Sequence, residues 1–452
     1  MSRADKLHII SDFGSIEKIK WQYITPDENG DWINHRNPKF ASLISLGDKK
    51  RREQSSFFSN NYSMGISSNR DVWVYNFDAQ RRDAKEMVDY YNQELARCKS
   101  EFAAVVAQGK ASGDQKARAT FYSNARNLDA KKISWSRGLL NTFCKDEHIE
   151  FTEDYRTAMH RPFCKESLYF SSKLIEWPSI WRSIFPEKDT ENLVIAVMAT
   201  SSRKFSVLIT NVIQDYDLVQ HAQCFPLYLY EKEESKESAQ LSFDNMTEGE
   251  TVTWHKRMAL TDSILAKFKD VYGDKVTKED IFYYVYAVLH SPEYINDTQK
   301  TSKKEMPRIP MLAHFPEYVK IGRALADLHL HYEKPVTAAE IGVTVDMRTE
   351  DYTIVDKMRF GKGKDKSIIE YNPYITIRDI PAAAYDYIVN GKSAIEWIVE
   401  QYAVTTDKAS GIVNDPNTYA GGKYVFDLLL SIISVSLKTQ ELIAQLPEYK
   451  EI

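Results

Sequence analysis

Cysteine, long apolar runs and an excess of one charge are all scarce in this sequence of 452 residues. The four cysteines, Cys98, Cys144, Cys164 and Cys224, form no C-x-x-C pair. In a chain of this length they predict reduced, buried thiols rather than a disulfide framework or a zinc site. No apolar stretch has the length of a signal peptide or of a membrane span, which takes roughly 18 residues. The sequence therefore predicts a cytoplasmic protein with no membrane partner.

The net charge is also small, at −5 at pH 7, so no global field attracts a polyanion. Any nucleic-acid site must then be a local cluster of basic side chains. Hydrophobic residues make up 43% of the sequence and charged residues 27%, which is typical of a folded soluble protein and excludes a disordered chain. At roughly 150 residues per domain, the length predicts two or three lobes.

Alternating or β-branched segments predict strands in four places. The segments 18–24 and 71–77 each predict one strand, and three apolar runs between Asn192 and Tyr230 predict an antiparallel meander. The acidic stretch at 231–238 predicts a solvated loop after it. Two further strands follow Pro335 and flank a predicted hairpin tip, GKGKDK, at 361–366.

Apolar residues at helical spacing predict five helices, one of which begins with a capping box at Thr277 and Asp280. The other four are expected at 79–108, 318–332, 393–403 and 423–445. Together these elements predict an α+β protein, with mixed helices and antiparallel strands packed in two or three lobes.

Motifs for nucleotide and cofactor chemistry are incomplete. Gly391-Lys392-Ser393 matches the end of a phosphate-binding P-loop, but the glycine that such a loop needs five residues earlier is Asp386. The segment is better explained as the start of a helix. Asn372-Pro373-Tyr374 lacks the second proline of the Asn-Pro-Pro-Tyr loop with which amino-methyltransferases hold a flipped base. An ordinary strand fits it better.

Metal-dependent chemistry is equally poorly supported. Asp217, Glu234 and Lys236 have the order of a metal-dependent nuclease, but the last two lie in the acidic stretch rather than on a rigid strand. His329 and His331 lie on an amphipathic helix and are better explained as core or surface histidines than as ligands. We therefore predict no catalytic residue and no metal site in this chain.

Basic side chains do cluster in two segments. Lys300, Lys303, Lys304 and Arg308 lie together beside a predicted helix, and Lys362, Lys364 and Lys366 lie on the predicted hairpin tip. Such clusters can neutralise phosphates and release the counterions bound to them, which supplies much of the affinity for DNA. A solvated charged surface without a ligand remains the alternative.

Several segments together resemble the C-terminal specificity region of Type ISP restriction-modification enzymes. They extend over almost the whole chain, and the most specific are RDVWVYNFD, HSPEY, VNGKSAIEWIVEQY and DKASGIVNDPN. The segment MHRPF and the turn GISSNRD are looser themes of restriction enzymes that fuse methylation and recognition.

In that family one polypeptide joins a nuclease, an ATP-driven translocase, an adenine N6-methyltransferase and a C-terminal recognition domain. The resemblance implies a chain without catalysis of its own that recognises a double-stranded DNA target and directs the methyltransferase, translocase and nuclease of the parent enzyme. It implies no cofactor here, and S-adenosylmethionine, ATP and Mg²⁺ in the other domains. The expected organisation is a linking segment after a methyltransferase core at 1–70, a β-rich recognition lobe at 71–255, a helical section at 256–340 and an α+β lobe at 341–452.

The resemblance also assigns candidate DNA contacts. Such domains contact base edges from the major groove while lysines on phosphates hold the register. Candidate base or groove contacts are Asn69, Arg70 and Arg308, and candidate phosphate contacts are Lys303, Lys304, Lys362 and Lys364. For Arg70 the alternative is an ion pair with Asp71 or Glu53.

Scaffold roles are expected for other side chains of the family segments, namely Trp73, Tyr75, Arg161, Pro162, Phe163, His290 and Trp397. Two other functions remain open. One is a stand-alone DNA-modifying enzyme, and the other is a protein-interaction module that docks on a methyltransferase through the helix predicted at 318–332.

Overall fold

The computed structural model describes residues 3–14, 16–18, 21–26, 32, 43–50, 55–198, 205–233, 253–296, 306–348 and 355–452. The chain divides into two units, Met1–Ser42 and Leu43–Ile452. Helices and antiparallel sheets are mixed throughout the larger unit, which confirms the α+β class. Within the described part of the chain, no helix combines the length and the apolar character that a membrane crossing requires.

Each of the five predicted helices is present, with ends that differ from the prediction by a few residues. The described residues form twelve α-helices in all. They are α1 (Arg3–Asp12), α2 (Asp71–Val74), α3 (Asp83–Ala107), α4 (Gln115–Ala125), α5 (Arg137–Cys144), α6 (Trp181–Ile184), α7 (Asp262–Tyr272), α8 (Lys278–Val288), α9 (Pro292–Asn296), α10 (Phe315–Leu330), α11 (Ala394–Gln401) and α12 (Tyr424–Ala444). The predicted capping box of α8 is present, because Thr277 and Asp280 each accept a hydrogen bond from the other's backbone N–H.

The strands are short. They are β1 (Ile44–Ser45), β2 (Ser63–Met64), β3 (Tyr75–Asn76), β4 (Tyr155–Arg161), β5 (Cys164–Tyr169), β6 (Val194–Met198), β7 (Val207–Thr210), β8 (Ile213–Gln214), β9 (Ala222–Pro226), β10 (Tyr228–Lys232), β11 (Trp254–Met258), β12 (Arg308–Ile309), β13 (Thr344–Met347), β14 (Arg359–Gly361), β15 (Asp365–Glu370), β16 (Ile375–Arg378), β17 (Ile388–Val389), β18 (Lys392–Ser393), β19 (Thr405–Thr406) and β20 (Val413–Asn414).

Three four-stranded sheets organise the larger unit, with the strand orders β2-β9-β6-β7, β3-β5-β4-β8 and β13-β16-β15-β14. Strands β4 and β8 run parallel, and the other named pairs run antiparallel. In the third sheet Ile369 and Ile377 lie opposite each other on neighbouring strands and are buried. Arg359 and Glu370 also lie opposite each other in the strand register, and both are exposed. The alternation buries one face of this sheet and leaves the other in water.

The closest helix packing joins α8 to α10. A Cβ atom at Gly322 of α10 would collide with the carbonyl oxygen of Tyr283, so only glycine permits this approach of the two backbones. The buried His329 of α10 hydrogen-bonds Tyr286 Oη at 2.6 Å and Thr439 Oγ1 at 2.9 Å, while His331 is exposed. His329 is therefore a core histidine and His331 a surface histidine.

Two strand predictions are wrong. The described part of 18–24 contains no strand, and 71–77 begins with the single helical turn α2 before the short strand β3. The turn forms because Trp73 N–H donates to the carbonyl oxygen of Arg70 at 2.9 Å, and because Ser68 Oγ donates to the carboxylate of Asp71. Local hydrogen bonding therefore overrides the β-propensity of this sequence.

The predicted meander also has a different order. Strand β6 lies between β7 and β9, and the third apolar run breaks after Pro226 so that β10 pairs with β11 instead. Strand β10 extends to Lys232, so the predicted loop begins later than expected, and residues 234–238 lie outside the described residues.

Candidate nucleic-acid interface

The turn that carries Asn69 and Arg70 precedes α2. The backbone of Asn69 is left-handed, with φ at 55°, a conformation that asparagine tolerates better than most residues, and its side chain is exposed. Arg70 N–H donates to Ser68 Oγ at 2.9 Å, which closes the turn. Asn69 is thus held at the tip of a turn, where its amide is available to solvent.

Arg70 points the other way, into the protein. Its side chain has no exposed surface, and its guanidinium donates to the carbonyl oxygen of Leu174 and to Ser136 Oγ. Glu176 lies 3.8 Å from it. Burial lowers the pKa of Arg70 to about 10, and the Glu176 carboxylate offsets part of that shift.

This geometry favours the structural alternative for Arg70, with Glu176 as its partner rather than Asp71. Glu53, the other partner considered, lies outside the described residues. A DNA contact by Arg70 would require the guanidinium to leave all of these acceptors. The role predicted for Arg70 in DNA binding stays a prediction.

Next to this turn, five ionisable side chains pack together, and we call them the charged cluster: Asp71, His160, Arg161, Glu166 and Asp215. His160 Nδ1 lies 2.7 Å from Glu166 Oε1, and His160 Nε2 lies 3.6 Å from Asp71 Oδ2. Arg161 Nη1 lies 2.8 Å from Asp215 Oδ1. Strands β4 and β5 bring His160, Arg161 and Glu166 together.

The pKa values in the charged cluster follow from these pairs. Burial alone would lower the pKa of His160, but the carboxylates of Glu166 and Asp71 raise it to about 10, so the imidazole is protonated at neutral pH. Burial would raise the pKa of Asp71, but His160 lowers it to about 2. For Asp215 burial dominates and raises the pKa to about 6.

One side chain oxygen or nitrogen from each of Asp71, His160 and Asp215 lies within 4.8 Å of the other two, a spacing that could hold a metal ion. However, the cluster already contains two cations, His160 and Arg161, against three carboxylates. A metal ion would have to displace the His160 proton and lie beside the Arg161 guanidinium. The arrangement therefore functions as a desolvated ion-pair network that fixes β4, β5 and the start of α2.

A cavity of about 380 Å³ opens beside the charged cluster. Its wall includes Tyr75, whose ring stacks on His160 at 4.3 Å between centroids, and Asn414, whose amide donates to Glu166 at 3.0 Å. Tyr75, Arg161 and Asn414 belong to three segments that are far apart in sequence. These segments therefore meet in one buried scaffold, as expected for Tyr75 and Arg161.

The other side chains that were expected to be structural are also buried, namely Trp73, Pro162, Phe163, His290 and Trp397. Cys98, Cys164 and Cys224 are buried free thiols, as the sequence predicted, whereas Cys144 is a free thiol that is only half-buried.

Arg308 is the first residue of β12, which pairs with β1. The side chain is half-buried, and its Nη1 donates to the carbonyl oxygen of Leu43 at 3.0 Å. Lys303 and Lys304 lie outside the described residues. The DNA-contact roles of all three residues stay predictions.

Strands β14 and β15 form the predicted hairpin. Five cationic side chains lie on it or just before it, and we call them the basic hairpin: Lys357, Arg359, Lys362, Lys364 and Lys366. All five are exposed. Gly363 and Lys364 at the tip have φ of 76° and 65°, and the register shifts at Gly361, so the hairpin closes through a bulge.

Lys366 of the basic hairpin lies 2.8 Å from Glu396. Among the residues that the structure describes, the other four cations have no ion-pair partner. Sequence analysis had assigned Lys362 and Lys364 but not Lys357 and Arg359. Lys357 and Arg359 could also have been predicted from the sequence, because both shortly precede the hairpin tip and Arg359 lies on β14, the strand that leads into the tip.

The motifs judged incomplete in the sequence have structural roles. A two-residue turn joins β17 to β18, and Ser393 at the end of β18 caps α11 in a capping box with Glu396. The segment that resembles the end of a P-loop is therefore the start of a helix. Asn372 Oδ1 accepts hydrogen bonds from the backbone N–H groups of Tyr374 and Ile375, so the Asn-Pro-Tyr segment is a turn leading into β16. Of the nuclease-like set, only Asp217 lies within the described residues.

Comparisons with known proteins identify the relatives of this fold. Residues 56–428 match a family model described as the Type ISP C-terminal specificity domain. The structure is similar to that of a nuclease-deletion mutant of the Type ISP restriction-modification enzyme LlaGI in complex with a DNA substrate mimic, with a TM-score of 0.79 and 35% identity. It is also similar to the ATP-dependent Type ISP enzyme LlaBIII bound to DNA, with a TM-score of 0.80 and 34% identity.

These two matches cover 100% of the present chain but only 32% of the LlaGI chain and 27% of the LlaBIII chain. A cryoEM structure of a DrdV–DNA complex has a TM-score of 0.75 and 24% identity, covering 99% of this chain and 42% of that one, and is similar in fold. No curated protein matches the sequence. The chain therefore spans about a third or less of the Type ISP chains that it resembles.

Proposed function

The chain belongs to the family of Type ISP C-terminal specificity domains, and we propose that it recognises a DNA target sequence on behalf of a larger restriction-modification enzyme. The observation that carries this proposal is the basic hairpin. It exposes four cations that have no ion-pair partner among the described residues, in a chain whose net charge is −5. Unpaired cations gathered in one place suit contact with a phosphate backbone.

The proposed interface divides its work between two kinds of contact. Lys362 and Lys364 bind phosphates and fix the position of the protein on the duplex, and Lys303 and Lys304 do the same from their own segment. Asn69, with an exposed amide on a closed turn, contacts a base edge, as does Arg308. For Arg70 the same role requires its guanidinium to leave Leu174, Ser136 and Glu176.

Recognition by this chain would direct an adenine N6-methyltransferase and an ATP-dependent nuclease and translocase, which belong to other parts of the parent enzyme. S-adenosylmethionine, ATP and Mg²⁺ would bind in those parts. We propose no catalysis by this chain alone. The incomplete P-loop and Asn-Pro-Tyr segments support this, because each has a purely structural role here.

The alternative of a protein-interaction module is less well supported. It relied on the apolar side chains of the helix at 318–332, yet Tyr318, Leu325 and Tyr332 have no more than 1% of their surface exposed. They pack inside the larger unit, where α10 contacts α8 and α12. A partner would therefore need a different surface.

Selection from a pool of random duplexes, followed by salt titration of the best sequence, tests the proposal. We expect one sequence to be enriched and its affinity to fall steeply with salt, because each phosphate contact contributes about 0.9 to the slope of log affinity against log salt. A shuffled duplex of the same composition is the control. Equal binding of both duplexes at low ionic strength would reject sequence recognition, and an affinity independent of salt would reject phosphate contacts.

A further inference from the structure

Trp177 is the most unusual exposed side chain near the turn that carries Asn69. It exposes 59% of its surface, although tryptophan is the largest apolar side chain and is normally well buried. Tryptophan is also one of the residue types that most often carry the binding energy of an interface. What matters is whether this indole is held in place and what surrounds it.

The backbone beneath Trp177 is firmly fixed. Trp177 N–H donates to the carbonyl oxygen of Ser67 at 3.0 Å, which forms an isolated antiparallel bridge. The preceding residue, Glu176, accepts hydrogen bonds from Ser136 Oγ at 2.6 Å and from Gly138 N–H at 2.7 Å. The buried Arg70 guanidinium also lies against this segment.

Glu176 itself is enclosed by this packing. A Cβ atom on Gly138 would come within 2.6 Å of its carboxylate oxygens, so a larger residue at the start of α5 would displace this carboxylate. The carboxylate is therefore turned towards Ser136, Gly138 and Arg70, and only 15% of the Glu176 side chain is exposed. The Trp177 indole remains outside on a rigid support.

Two exposed polar residues lie on the segments that hold the backbone of Trp177 in place. Asn69 is exposed two residues after Ser67, the bridge partner of Trp177. Arg137 is exposed between Ser136 and Gly138, both of which bind Glu176, and it has no ion-pair partner within the described parts of the chain. We call Asn69, Arg137 and Trp177 the indole surface.

We infer that the indole surface is a second DNA contact, in which Trp177 stacks on an unstacked base while Arg137 binds the adjacent phosphate. An aromatic face, a cation and an amide are what a nucleotide with an exposed base requires, since every base has a face that can stack. This inference rests on the proposed function. It places a contact beside the buried Arg70 rather than on Arg70 itself.

The probes are a random-sequence duplex and the same duplex with one unpaired thymine. Base stacking on an aromatic side chain contributes enough that Trp177→Ala should weaken binding to the bulged duplex roughly tenfold, and binding to the intact duplex much less. Trp177→Phe should restore most of the affinity, because a phenyl ring also stacks. Arg137→Gln should reduce the salt slope by about one.

Trp21→Ala is the matched control, because Trp21 is also well exposed, at 63%, and lies in the Met1–Ser42 unit. Urea unfolding of each variant checks that folding is intact. If Trp177→Ala does not fold, Trp177→Leu takes its place, because leucine keeps an apolar side chain but has no ring that can stack. Equal affinities of Trp177→Ala and wild type for the bulged duplex would overturn the inference, as would an equal loss in Trp21→Ala. If wild type binds neither duplex, the proposed function fails with it; if wild type binds with a steep salt slope and only the Trp177 effect is missing, the inference alone fails.

Discussion

The charged cluster and the basic hairpin each contain five ionisable side chains, but the charges are paired and mostly buried in the cluster and exposed to water in the hairpin. In the charged cluster, Arg161 lies 2.8 Å from Asp215 and His160 lies 2.7 Å from Glu166, and most of these groups are out of water. In the basic hairpin all five side chains are exposed, and Lys366 is the member with an ion-pair partner among the described residues.

The difference follows from the cost of removing charge from water. A buried ion must be paired, so its partners fix its position and it becomes part of the scaffold. A cation that stays in water can remain unpaired at little cost, and it is then available to a phosphate. The charged cluster is therefore expected to determine stability, and the basic hairpin is expected to determine DNA affinity.

The largest expected effect belongs to Arg70, which is buried and directly precedes Asp71 of the charged cluster. Arg70→Ala should destabilise the chain by about 3–5 kcal/mol, because it removes the cation beside Glu176 and the donor to the carbonyl oxygen of Leu174. Urea unfolding measures the change. Arg359→Ala is the control and should change stability by less than about 0.5 kcal/mol, since that side chain is exposed. Equal stability losses would remove the distinction between the two regions.

Next in size is the pH dependence that His160 gives to stability. Its pKa is about 10 in the folded chain against 6.5 in a model compound, so the folded state holds the proton more tightly. The resulting stabilisation is complete below pH 6.5 and is lost as the pH rises towards 10. His160→Gln should cost about 2 kcal/mol at neutral pH and should remove this loss.

Urea unfolding at a series of pH values between 6.5 and 10 checks the prediction, with the difference between wild type and His160→Gln as the quantity of interest. Other groups that titrate in this range contribute to both proteins and cancel. Parallel curves for the two proteins would contradict a protonated His160 in the charged cluster.

The same contrast explains which features the sequence could predict. The helix starts at Thr277 and Ser393 depend on side chains only three residues away, and both were predictable. The Lys362 and Lys364 tip was predictable for the same reason, since glycine and lysine in a short polar segment between strands indicate an exposed hairpin. Local chemistry was sufficient in each of these places.

Features that depend on distant partners were not predictable. The partners of Arg70 are Ser136, Leu174 and Glu176, which are far along the chain, so its sequence neighbours suggested a solvent-exposed arginine. The charged cluster likewise assembles from three separate segments. Each of its charged residues is ordinary in sequence, and only the fold brings them together.

A smaller effect is expected from neutralising the tip of the basic hairpin. Lys362→Gln with Lys364→Gln should weaken binding of every duplex about tenfold at low salt and reduce the salt slope by about two, with stability unchanged. Lys392→Gln is the matched control, because that ammonium is already paired with Glu400. Salt titrations of the three proteins check the prediction. A loss confined to one sequence would mean that the tip contacts bases instead.

The smallest expected effect concerns Asn69, which combines a feature of each region: buried hydrogen bonds fix its turn, while its own side chain is exposed. Asn69→Gly keeps the left-handed backbone without strain, so it removes the side chain alone. We expect a loss of about 1 kcal/mol of preference at a single base pair, measured by repeating the duplex selection. Asn69→Ala should show the same loss together with lower stability, because a Cβ strains this backbone. A uniform loss over all sequences would make Asn69 a backbone contact rather than a base contact.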